Sequence, residues 1–374
     1  MTEQLRELLA LEEGPLAALA LEDGTVVWGR GFGSPGTRVG EVVFTTAMNG
    51  YTESLTDPSY RGQILTITHP LVGNYGVPPD FESKRIQVEG LVISKLTEPS
   101  HPRSEKSLHE WLKEEGVPGI EGVDTRALVK RIRNFGVMAG ALSVSEDPSK
   151  IDVEALLKAA RGFDYESADF LRPSLGPATL GMGGYHVVVV DFGLKGGIVR
   201  ELVARGFRVT VVPWNWGLKG ILSFSPDGVV LGNGPGNPAA VREGVELARG
   251  LLEEGLPTLG ICLGHQFVAL ALGARVEKMK FGHRGINKPV RDLASGRLSI
   301  TTHNHGYAVD PSSLQGTGLR PRFVDVDDGT VEGMEHEKLP LLTTQFHPEG
   351  SPGPRDASYV FDEFRAMVVE GKRV

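Results

Sequence analysis

The chain has 374 residues, of which 40% are hydrophobic and 23% are charged, and its formal net charge is −8. This length exceeds the size at which a single hydrophobic core usually stops growing, so we expect two domains. The acidic balance leaves no basic surface for nucleic acid, and no uninterrupted apolar run approaches the roughly 18 residues of a membrane span, which argues against DNA, RNA or a membrane as a partner.

The N-terminal segment indicates a cytoplasmic protein. Met1–Gly14 carries acidic residues among its leucines and lacks the basic start and the apolar run of a secretory signal. The chain also contains only eight Asn and six Gln. Because thermophilic proteins tend to avoid these heat-labile amides, we hypothesise a thermophilic source, which a melting temperature in the mesophile range would contradict.

An N-terminal mixed α+β domain is predicted over residues 1–147. From Leu16 to about Ser143, short β-rich segments alternate with turn residues and with two stretches of helical periodicity. The predicted strands are Thr25–Trp28, Glu41–Thr46, Ile64–Thr68 and Val88–Ile93, and the predicted helices are Ser107–Glu115 and Thr125–Asn134.

A helix and a linker are predicted over residues 148–184, before an α/β domain at 185–374. Pro148–Gly162 has a helical pattern, whereas Arg172–Gly184 is rich in Pro and Gly and has no periodicity. Beyond it, apolar strands are predicted at His186–Asp191, Arg208–Pro213, Gly228–Leu231 and Pro257–Ile261, and helices at Gly197–Ala204, Ala239–Glu254 and Leu263–Leu272. Near-continuous Val/Ile/Leu strands between helices indicate a parallel sheet covered on both faces.

The single cysteine lies where a nucleophile is expected. It excludes an internal disulfide and indicates a reducing compartment or a thiol retained for its reactivity. Cys262 stands in Gly260-Ile261-Cys262-Leu263-Gly264, between an apolar strand and a helix, and the flanking glycines permit a sharp turn. The helix N-terminus favours the thiolate, and the N–H of Leu263 is a candidate oxyanion donor. The alternative is a buried structural cysteine, which is the commoner case without such a turn.

The C-terminal segment LLTTQFHPEG supplies a base for this thiol. His347 ends an apolar strand and Glu349 lies two residues further, so in extended backbone both side chains project to the same side. Pro348 restrains the backbone between them. We therefore predict that His347 takes the thiol proton and delivers it to a leaving group, while Glu349 orients the imidazole. The alternative is a solvated His and Glu in a loop.

A glycine-rich segment, LGNGPGNP, follows the predicted strand Gly228–Leu231. Glycines there allow backbone amides to approach a ligand closely, and the N–H of Gly236 is a candidate second oxyanion donor. The alternative is an ordinary turn, which Gly-Pro pairs often mark.

Three patterns for other ligands are considered and rejected. Gly31–Gly36 fits G-x-G-x-x-G after a strand, yet Pro35 and the β-rich Val39–Thr46 leave no helix to receive a pyrophosphate. The two histidines of the His-Asn-His sequence at 303–305 would share one face of a strand, but no nearby acidic or thiol partner completes a set of ligands, so no metal site is predicted. No G-x-x-x-x-G-K-[ST] phosphate loop occurs in the sequence.

Taken in order, LGNGPGNP, GICLGHQ and QFHPE resemble the class I glutamine amidotransferases, in which a Cys-His-Glu triad hydrolyses the side-chain amide of glutamine. The flanking blocks are similar to the small subunit of carbamoyl-phosphate synthetase; they are EVVFTTAMNGYTESLTDPSYRGQILTITHPLVGNYG, DFGLKGGIVREL, MKFGHRGINKPV and HNHGYAVD. The resemblance covers nearly the whole chain. It implies an N-terminal small-subunit domain before a doubly wound, mostly parallel-sheet amidotransferase domain.

The resemblance assigns roles to particular positions. Cys262 matches the nucleophile, His347 the base and Glu349 its partner. The implied glutamine pocket includes Gly234, Gly236, Leu263, Gln266, Asn304, Gly306 and Tyr307, the last at a position where Phe is commoner. Ala47 stands where some relatives carry a serine hydroxyl that faces glutamine, and we expect its segment to close the pocket. Because a methyl group cannot hydrogen-bond, a backbone group, Thr46 or water serves the substrate there, or that contact is dispensable.

The resemblance also implies a division of labour between two chains. The small subunit hydrolyses glutamine to glutamate and ammonia, and the ammonia passes through an internal tunnel to a large subunit. That partner would hold ATP and a divalent cation and make carbamoyl phosphate from bicarbonate for arginine and pyrimidine biosynthesis, while this chain carries no cofactor. We expect a heterodimer or a larger assembly of heterodimers.

Two other functions stay open on the sequence. An amidotransferase subunit of another synthase, such as one that makes anthranilate or an aminated nucleotide, would share the C-terminal motifs. A non-catalytic scaffold would keep the fold only to bind and regulate a partner. A glutamine-like electrophile would label Cys262 in an amidotransferase but not in such a scaffold.

Overall fold

A computed structural model of the chain describes residues 14–371. The prediction made for Met1–Gly14 lies outside the described residues, apart from Gly14 itself. The chain divides into two compact units: the first holds residues up to Phe81 together with Arg85–Ala168, and the second holds Glu82–Lys84 together with the residues from Asp169 onward. Within residues 14–371, no helix has the length and apolar character needed to cross a bilayer.

The first unit is built on a closed β-barrel. Its described strands are β1 (Leu16–Leu21), β2 (Val26–Gly33), β3 (Gly36–Thr45), β4 (Gln63–Ile67), β5 (Leu71–Val72), β6 (Gly90–Val92), β7 (Lys95–Leu96), β8 (Pro118–Glu121) and β9 (Met138–Ser145). The barrel order is β1-β2-β8-β6-β4-β3-β9, and antiparallel pairing of β9 with β1 closes it. Strand follows strand at the glycine motif between β2 and β3, so no helix receives a phosphate there, as predicted.

Short helices cover the outside of this barrel. They are α1 (Tyr51–Leu55), α2 (Leu108–Glu114), α3 (Thr125–Phe135) and α4 (Val153–Arg161). Ser107 and Glu110 form a capping box at the start of α2, and Asp152 accepts a hydrogen bond from the N–H of Ala155 at the start of α4. Apolar residues of α4 pack on Leu16, Ala18 and Ala20, which buries this face of β1. The division between the two units therefore falls after this helix, within the predicted segment 148–184.

The second unit contains a mixed sheet with a parallel centre. Its described strands are β10 (Ala178–Leu180), β11 (Tyr185–Asp191), β12 (Phe207–Pro213), β13 (Gly228–Leu231), β14 (Thr258–Ile261), β15 (Val276–Asp292), β16 (Leu298–Val309), β17 (Leu319–Asp325), β18 (Val331–His336) and β19 (Leu341–Thr344). The strand order is β10-β12-β11-β13-β14-β19-β18-β16-β15-β17, in which β12, β11, β13, β14 and β19 are parallel.

Helices lie on both faces of the parallel strands, as the sequence predicts. They are α5 (Gly196–Ala204), α6 (Gly217–Leu222), α7 (Arg242–Glu253), α8 (Leu263–Ala271) and α9 (Tyr359–Gly371). One core layer holds Leu251 of α7 and Phe267 of α8, and the opposite layer holds Ile198 of α5 and Phe361 of α9. Since both faces are covered, the strands between them carry runs such as the four valines of β11.

Two parts of the second unit differ from the prediction. The segment Arg172–Gly184, expected to be a linker without structure, contains β10, which pairs antiparallel with β12. The carboxylate of Asp191 also accepts hydrogen bonds from the N–H groups of Ser174 and Leu175, both at 2.9 Å. Of the antiparallel strands β15 to β18, only the His-Asn-His segment of β16 was expected to be a strand, and the carboxyl edge of the parallel sheet meets β16 at the site described next.

Candidate active site

Cys262 occupies a strained turn between a strand and a helix. It follows β14 directly and precedes the first residue of α8, and its backbone has φ +54°. A residue with a side chain in such a conformation costs of order 1–3 kcal/mol, a strain that is typical of functional sites. The Cys262 N–H donates to the carbonyl of Thr344 at 2.7 Å, which ties the turn to the neighbouring strand β19.

The glycines around Cys262 are required by close backbone contacts. A Cβ on Gly264 would lie 2.1 Å from the carbonyl oxygen of Leu231, and a Cβ on Gly260 would lie 3.0 Å from the backbone of Gly264. No side-chain movement relieves contacts of this kind, because the neighbouring atoms belong to the backbone. The prediction of a sharp turn at Cys262 is confirmed.

His347 and Glu349 lie at the end of the next strand. β14 and β19 are parallel neighbours, so residues that follow them meet at one edge of the sheet. His347 Nδ1 lies 2.8 Å from Glu349 Oε1, and both side chains are fully buried. The N–H of His347 donates to the carbonyl of Thr302 at 2.8 Å, which fixes the backbone at this point. The alternative of a solvated His and Glu in a loop is therefore wrong.

A buried lysine completes the charge pattern. Lys195 Nζ donates to Glu349 Oε1 at 2.8 Å, and its side chain is 1% exposed. Burial by itself would raise the pKa of Glu349, but the charges of Lys195 and His347 outweigh burial and hold that pKa well below its ordinary value. Glu349 is therefore a carboxylate throughout the neutral pH range.

The imidazole of His347 is held in its charged form. Burial by itself would lower its pKa, but the carboxylate of Glu349 outweighs burial and raises the pKa of His347 to about 10. The nearby side chain of Cys262 contributes to the same rise. A cationic imidazole at this position holds a proton ready for a leaving group.

The start of α5 packs directly against the Glu349 side chain. A Cβ on Gly197 would lie 2.8 Å from Glu349 Cγ and 2.9 Å from Glu82 Oε2. The Glu82 carboxylate accepts hydrogen bonds from the Gly197 N–H at 2.9 Å and from the Ser351 hydroxyl at 2.7 Å, and it pairs with Arg200. Glu82 thus links the helix that follows Lys195 to the loop that carries Glu349.

The glycine-rich loop lies beside the first residue of α8. A Cβ on Gly234 would lie 2.8 Å from Leu263 Cδ2, so only glycine fits there. Gly236 has φ +92°, a conformation that favours glycine. The side-chain oxygen of Asn233 accepts a hydrogen bond from the Lys195 N–H at 3.0 Å, which connects this loop to the buried lysine.

Strand β16 brings the predicted pocket segment to the nucleophile. The Cys262 thiol lies 3.7 Å from the carbonyl oxygen of Asn304. Gln266 Nε2 donates to the carbonyl of Tyr307 at 3.3 Å and to Gln345 Oε1 at 2.9 Å. Gln266 is thus a buried support of the pocket strand, and β16 also contains Gly306.

Ala47 belongs to the first unit. It is buried two residues after β3, and its N–H donates to the Thr45 hydroxyl at 3.2 Å. The structure brings together Cys262, His347 and Glu349, whereas the role of Ala47 at the glutamine pocket stays a prediction.

Sequence reasoning missed the roles of Lys195 and Glu82. Lys195 had a detectable signal, because it follows the strand β11 at the same carboxyl edge that carries Cys262 and precedes a Gly-Gly helix start. Glu82 had none, since it lies within the N-terminal stretch of the sequence and joins the second unit only in the fold.

The rejected His-Asn-His sequence has the acidic partner that the sequence did not reveal. His303 and His305 lie within 3.5 Å of Glu332 oxygens, and His283 lies 3.1 Å from the same carboxylate. The expectation that no acidic group completes a ligand set is therefore wrong. Antiparallel pairing among β15, β16 and β18 brings together residues that are far apart in sequence.

Comparison with known proteins gives one family match for each unit. Residues 19–142 match the family described as carbamoyl-phosphate synthase small chain, CPSase domain. Residues 188–367 match the family described as glutamine amidotransferase class-I. The two matches fall on the barrel unit and on the unit that contains Cys262, respectively.

Curated relatives match along nearly the whole chain. The carbamoyl phosphate synthase small chain of Sulfurisphaera tokodaii is 52% identical over 96% of this chain and 98% of its own length. The protein of the same name from Sulfolobus acidocaldarius is 53% identical over 93% of this chain and 96% of its own. That from Pyrococcus furiosus is 50% identical over 95% and 98%.

Proposed function

Because the chain belongs to the family of carbamoyl phosphate synthase small chains, with a class I glutamine amidotransferase domain, we propose that it hydrolyses glutamine through Cys262, His347 and Glu349. The observation that carries this proposal is the buried His347–Glu349 pair at 2.8 Å, beside a cysteine held at φ +54°. A purely structural cysteine needs neither a strained turn nor a charged partner.

The first half of the reaction forms a thioester. The thiolate of Cys262 attacks the carboxamide carbon of glutamine, and the carbonyl oxygen becomes an oxyanion. The N–H groups of Gly236 and Leu263 stabilise that oxyanion, the second because the first N–H of a helix has no acceptor within the helix. His347 then gives its proton to the nitrogen as the C–N bond breaks, and ammonia leaves.

The second half of the reaction regenerates the enzyme. The neutral His347 takes a proton from water, and the resulting hydroxide attacks the thioester carbon. The C–S bond breaks, the product acid gives its proton to solvent and leaves as glutamate, and the proton on His347 again faces a thiolate of Cys262. Glu349 stays ionised throughout and holds the imidazole in one orientation, with Lys195 fixing the carboxylate in turn.

The released ammonia is used by a partner chain in this proposal. A large subunit binds ATP with a divalent cation and converts bicarbonate and ammonia into carbamoyl phosphate for arginine and pyrimidine biosynthesis. The two chains form a heterodimer or a larger assembly of heterodimers in the cytoplasm. Support for this division comes from the full-length match to small chains, since a small chain implies a large one.

Reconstitution tests the proposed function. The chain is mixed with a carbamoyl phosphate synthase large subunit, ATP, bicarbonate and glutamine labelled with 15N in its amide. We expect labelled carbamoyl phosphate and an equal amount of glutamate, and no product with an anthranilate synthase partner. A complex that makes carbamoyl phosphate from ammonia but never from glutamine would contradict the proposal and favour the scaffold.

A further inference from the structure

A group of buried ligand-type side chains lies beside the pocket strand and takes no part in the mechanism above. His283, His303, His305 and Glu332 each present one nitrogen or oxygen atom, and these four atoms lie within 4.8 Å of one another. All four side chains are buried. Strand pairing brings them together, because His283 on β15 is the direct cross-strand neighbour of His305 on β16, and Glu332 comes from β18.

The outward nitrogens of two of these rings are hydrogen-bond donors. His303 Nε2 lies 2.7 Å from the Thr301 hydroxyl, which gives its own hydrogen to the Lys288 carbonyl at 2.9 Å. That hydroxyl is therefore left to accept from His303, which assigns a hydrogen to Nε2. His305 Nδ1 lies 3.0 Å from the Tyr307 carbonyl, which only accepts, so Nδ1 carries the hydrogen in that ring.

The third ring follows the same pattern. His283 Nε2 lies 2.9 Å from Asp328 Oδ2, and a carboxylate accepts, so Nε2 is the donor. In a neutral imidazole the other nitrogen is an acceptor, so in their neutral forms all three rings would direct a lone pair toward Glu332. One oxygen of that carboxylate, Oε2, is buried and makes no hydrogen bond within residues 14–371.

A metal cation among these groups would satisfy the acceptors that converge in this buried space. The inward atoms of His283 and His305 lie 3.1 and 3.2 Å from Glu332 Oε1. The inward nitrogen of His303 lies 3.4 Å from that of His305 and 3.5 Å from Glu332 Oε2. Four ligands at about 2.0–2.1 Å from a tetrahedral zinc ion are roughly 3.3–3.4 Å apart, which is close to these four contacts, and the whole set of ligand atoms lies within 4.8 Å.

We propose that His283, His303, His305 and Glu332 form a structural site for a divalent first-row transition-metal ion, of which zinc fits best. Three imidazoles and one carboxylate suit such an ion, whereas Mg²⁺ and Ca²⁺ prefer oxygen ligands alone. Four protein ligands leave no open position for a substrate, which makes the site structural rather than catalytic. The hydrogen-bonded outward nitrogens are the arrangement that orients ligating histidines.

The metal site fastens the strand that borders the nucleophile. Asn304 lies between His303 and His305 on β16, and its carbonyl is 3.7 Å from Cys262 Sγ. An ion that joins β15, β16 and β18 therefore limits movement of the pocket strand. His283 and Asp328 line an open surface depression, which gives the ion a route to the site.

Metal analysis of the purified full-length chain tests this proposal without reference to its activity. We expect about one zinc ion per chain by elemental analysis. After chelation, added Co²⁺ should give the intense visible absorption of a four-coordinate ion. Glu332→Gln and His303→Gln should weaken binding by at least about 100-fold, since loss of an outer partner alone costs 10–100-fold.

Further variants test whether the ion binds at these four residues. Cys262→Ser should bind the ion as the wild type does, which would exclude the thiol as a ligand. His186→Gln should also bind the ion as the wild type does, because His186 is a buried histidine elsewhere in the second unit. Asp328→Asn alters a half-exposed outer carboxylate, so this variant should fold and bind about 10–100-fold more weakly. The proposal would be overturned if the chain bound neither Zn²⁺ nor Co²⁺, or if the Glu332→Gln variant bound the ion like the wild type. The four side chains would then be held together by a proton that they share. Neither result would bear on the proposal that the chain hydrolyses glutamine.

Discussion

A single methyl group at Gly197 should displace the carboxylate of Glu349. Gly197 is the second residue of α5, and a Cβ there would lie 2.8 Å from Glu349 Cγ and 2.9 Å from Glu82 Oε2. Both neighbours are buried and ion-paired, so neither side chain can swing into solvent. Ordinary contact between two carbon atoms is about 3.5 Å, so Gly197→Ala requires Glu349 Cγ to shift by roughly 0.7 Å.

This shift should lower activity more than stability. A misplacement of 1 Å can cost about 10²-fold in rate, so roughly 0.7 Å predicts a kcat for glutamine hydrolysis about 10–100-fold lower. Overpacking costs about 1–3 kcal/mol, and replacing a helical Gly by Ala contributes about 1 kcal/mol in the opposite direction. The net loss in the free energy of unfolding is therefore about 0–2 kcal/mol, and the variant should remain folded.

The adjacent glycine supplies a matched control. A Cβ on Gly196 would meet Arg200 Nη1 at 2.9 Å, and the Arg200 side chain is 59% exposed, so its end can move aside. Glutamate release by each variant, assembled with the large subunit, gives kcat and KM, and thermal unfolding reports stability. Equal kcat values for Gly196→Ala and Gly197→Ala would refute the assignment of Glu349 to the reaction.

The same geometry leads to three further predictions. Lys195→Met should lower the free energy of unfolding, measured by chemical denaturation, by about 3 kcal/mol. This value is at the low end for a broken buried ion pair, because Glu349 keeps its pairing with His347. An unchanged free energy of unfolding would contradict the pairing of Lys195 with Glu349. Because the folded pKa of His347 is raised to about 10, its pair with Glu349 should stabilise the fold fully below about pH 6.5 and lose this effect as pH rises through 10. The free energies of unfolding of the wild type and of His347→Gln should therefore converge over that range. A constant difference between them would count against the pair. Gly264→Ala should sharply reduce the melting temperature, because its Cβ would lie 2.1 Å from the Leu231 carbonyl; a wild-type value would be inconsistent with the turn.

The sequence was most informative where periodicity and turn residues coincide. The strand–turn–helix around Cys262 was predictable because an apolar strand, two glycines and an apolar-periodic helix follow one another without interruption. His347 and Glu349 were predictable as a pair from their spacing of two. Their approach to Cys262 depends on β19 lying next to β14 in the sheet. The family resemblance implied that the three residues act together, but the local sequence pattern does not encode which strands are neighbours.

Features that depend on distant pairing escaped the sequence. The closure of the N-terminal strands into a barrel requires β9 to pair with β1, which are separated by more than a hundred residues. Glu332 was missed as a partner of His303 for the same reason, since the pairing of antiparallel strands leaves no local signal. Lys195 was overlooked although it follows an apolar strand, because a lysine there also fits an exposed helix start.

The most direct test of the proposed function is the Cys262→Ser variant assembled with a carbamoyl phosphate synthase large subunit. We predict that glutamine-dependent synthesis of carbamoyl phosphate is lost, because a serine hydroxyl beside a cationic His347 is a far weaker nucleophile than a thiolate. Ammonia-dependent synthesis should continue at the wild-type rate, since the ATP chemistry is proposed to lie on the partner. A variant that retains full glutamine-dependent synthesis would contradict the assignment of Cys262 as the nucleophile.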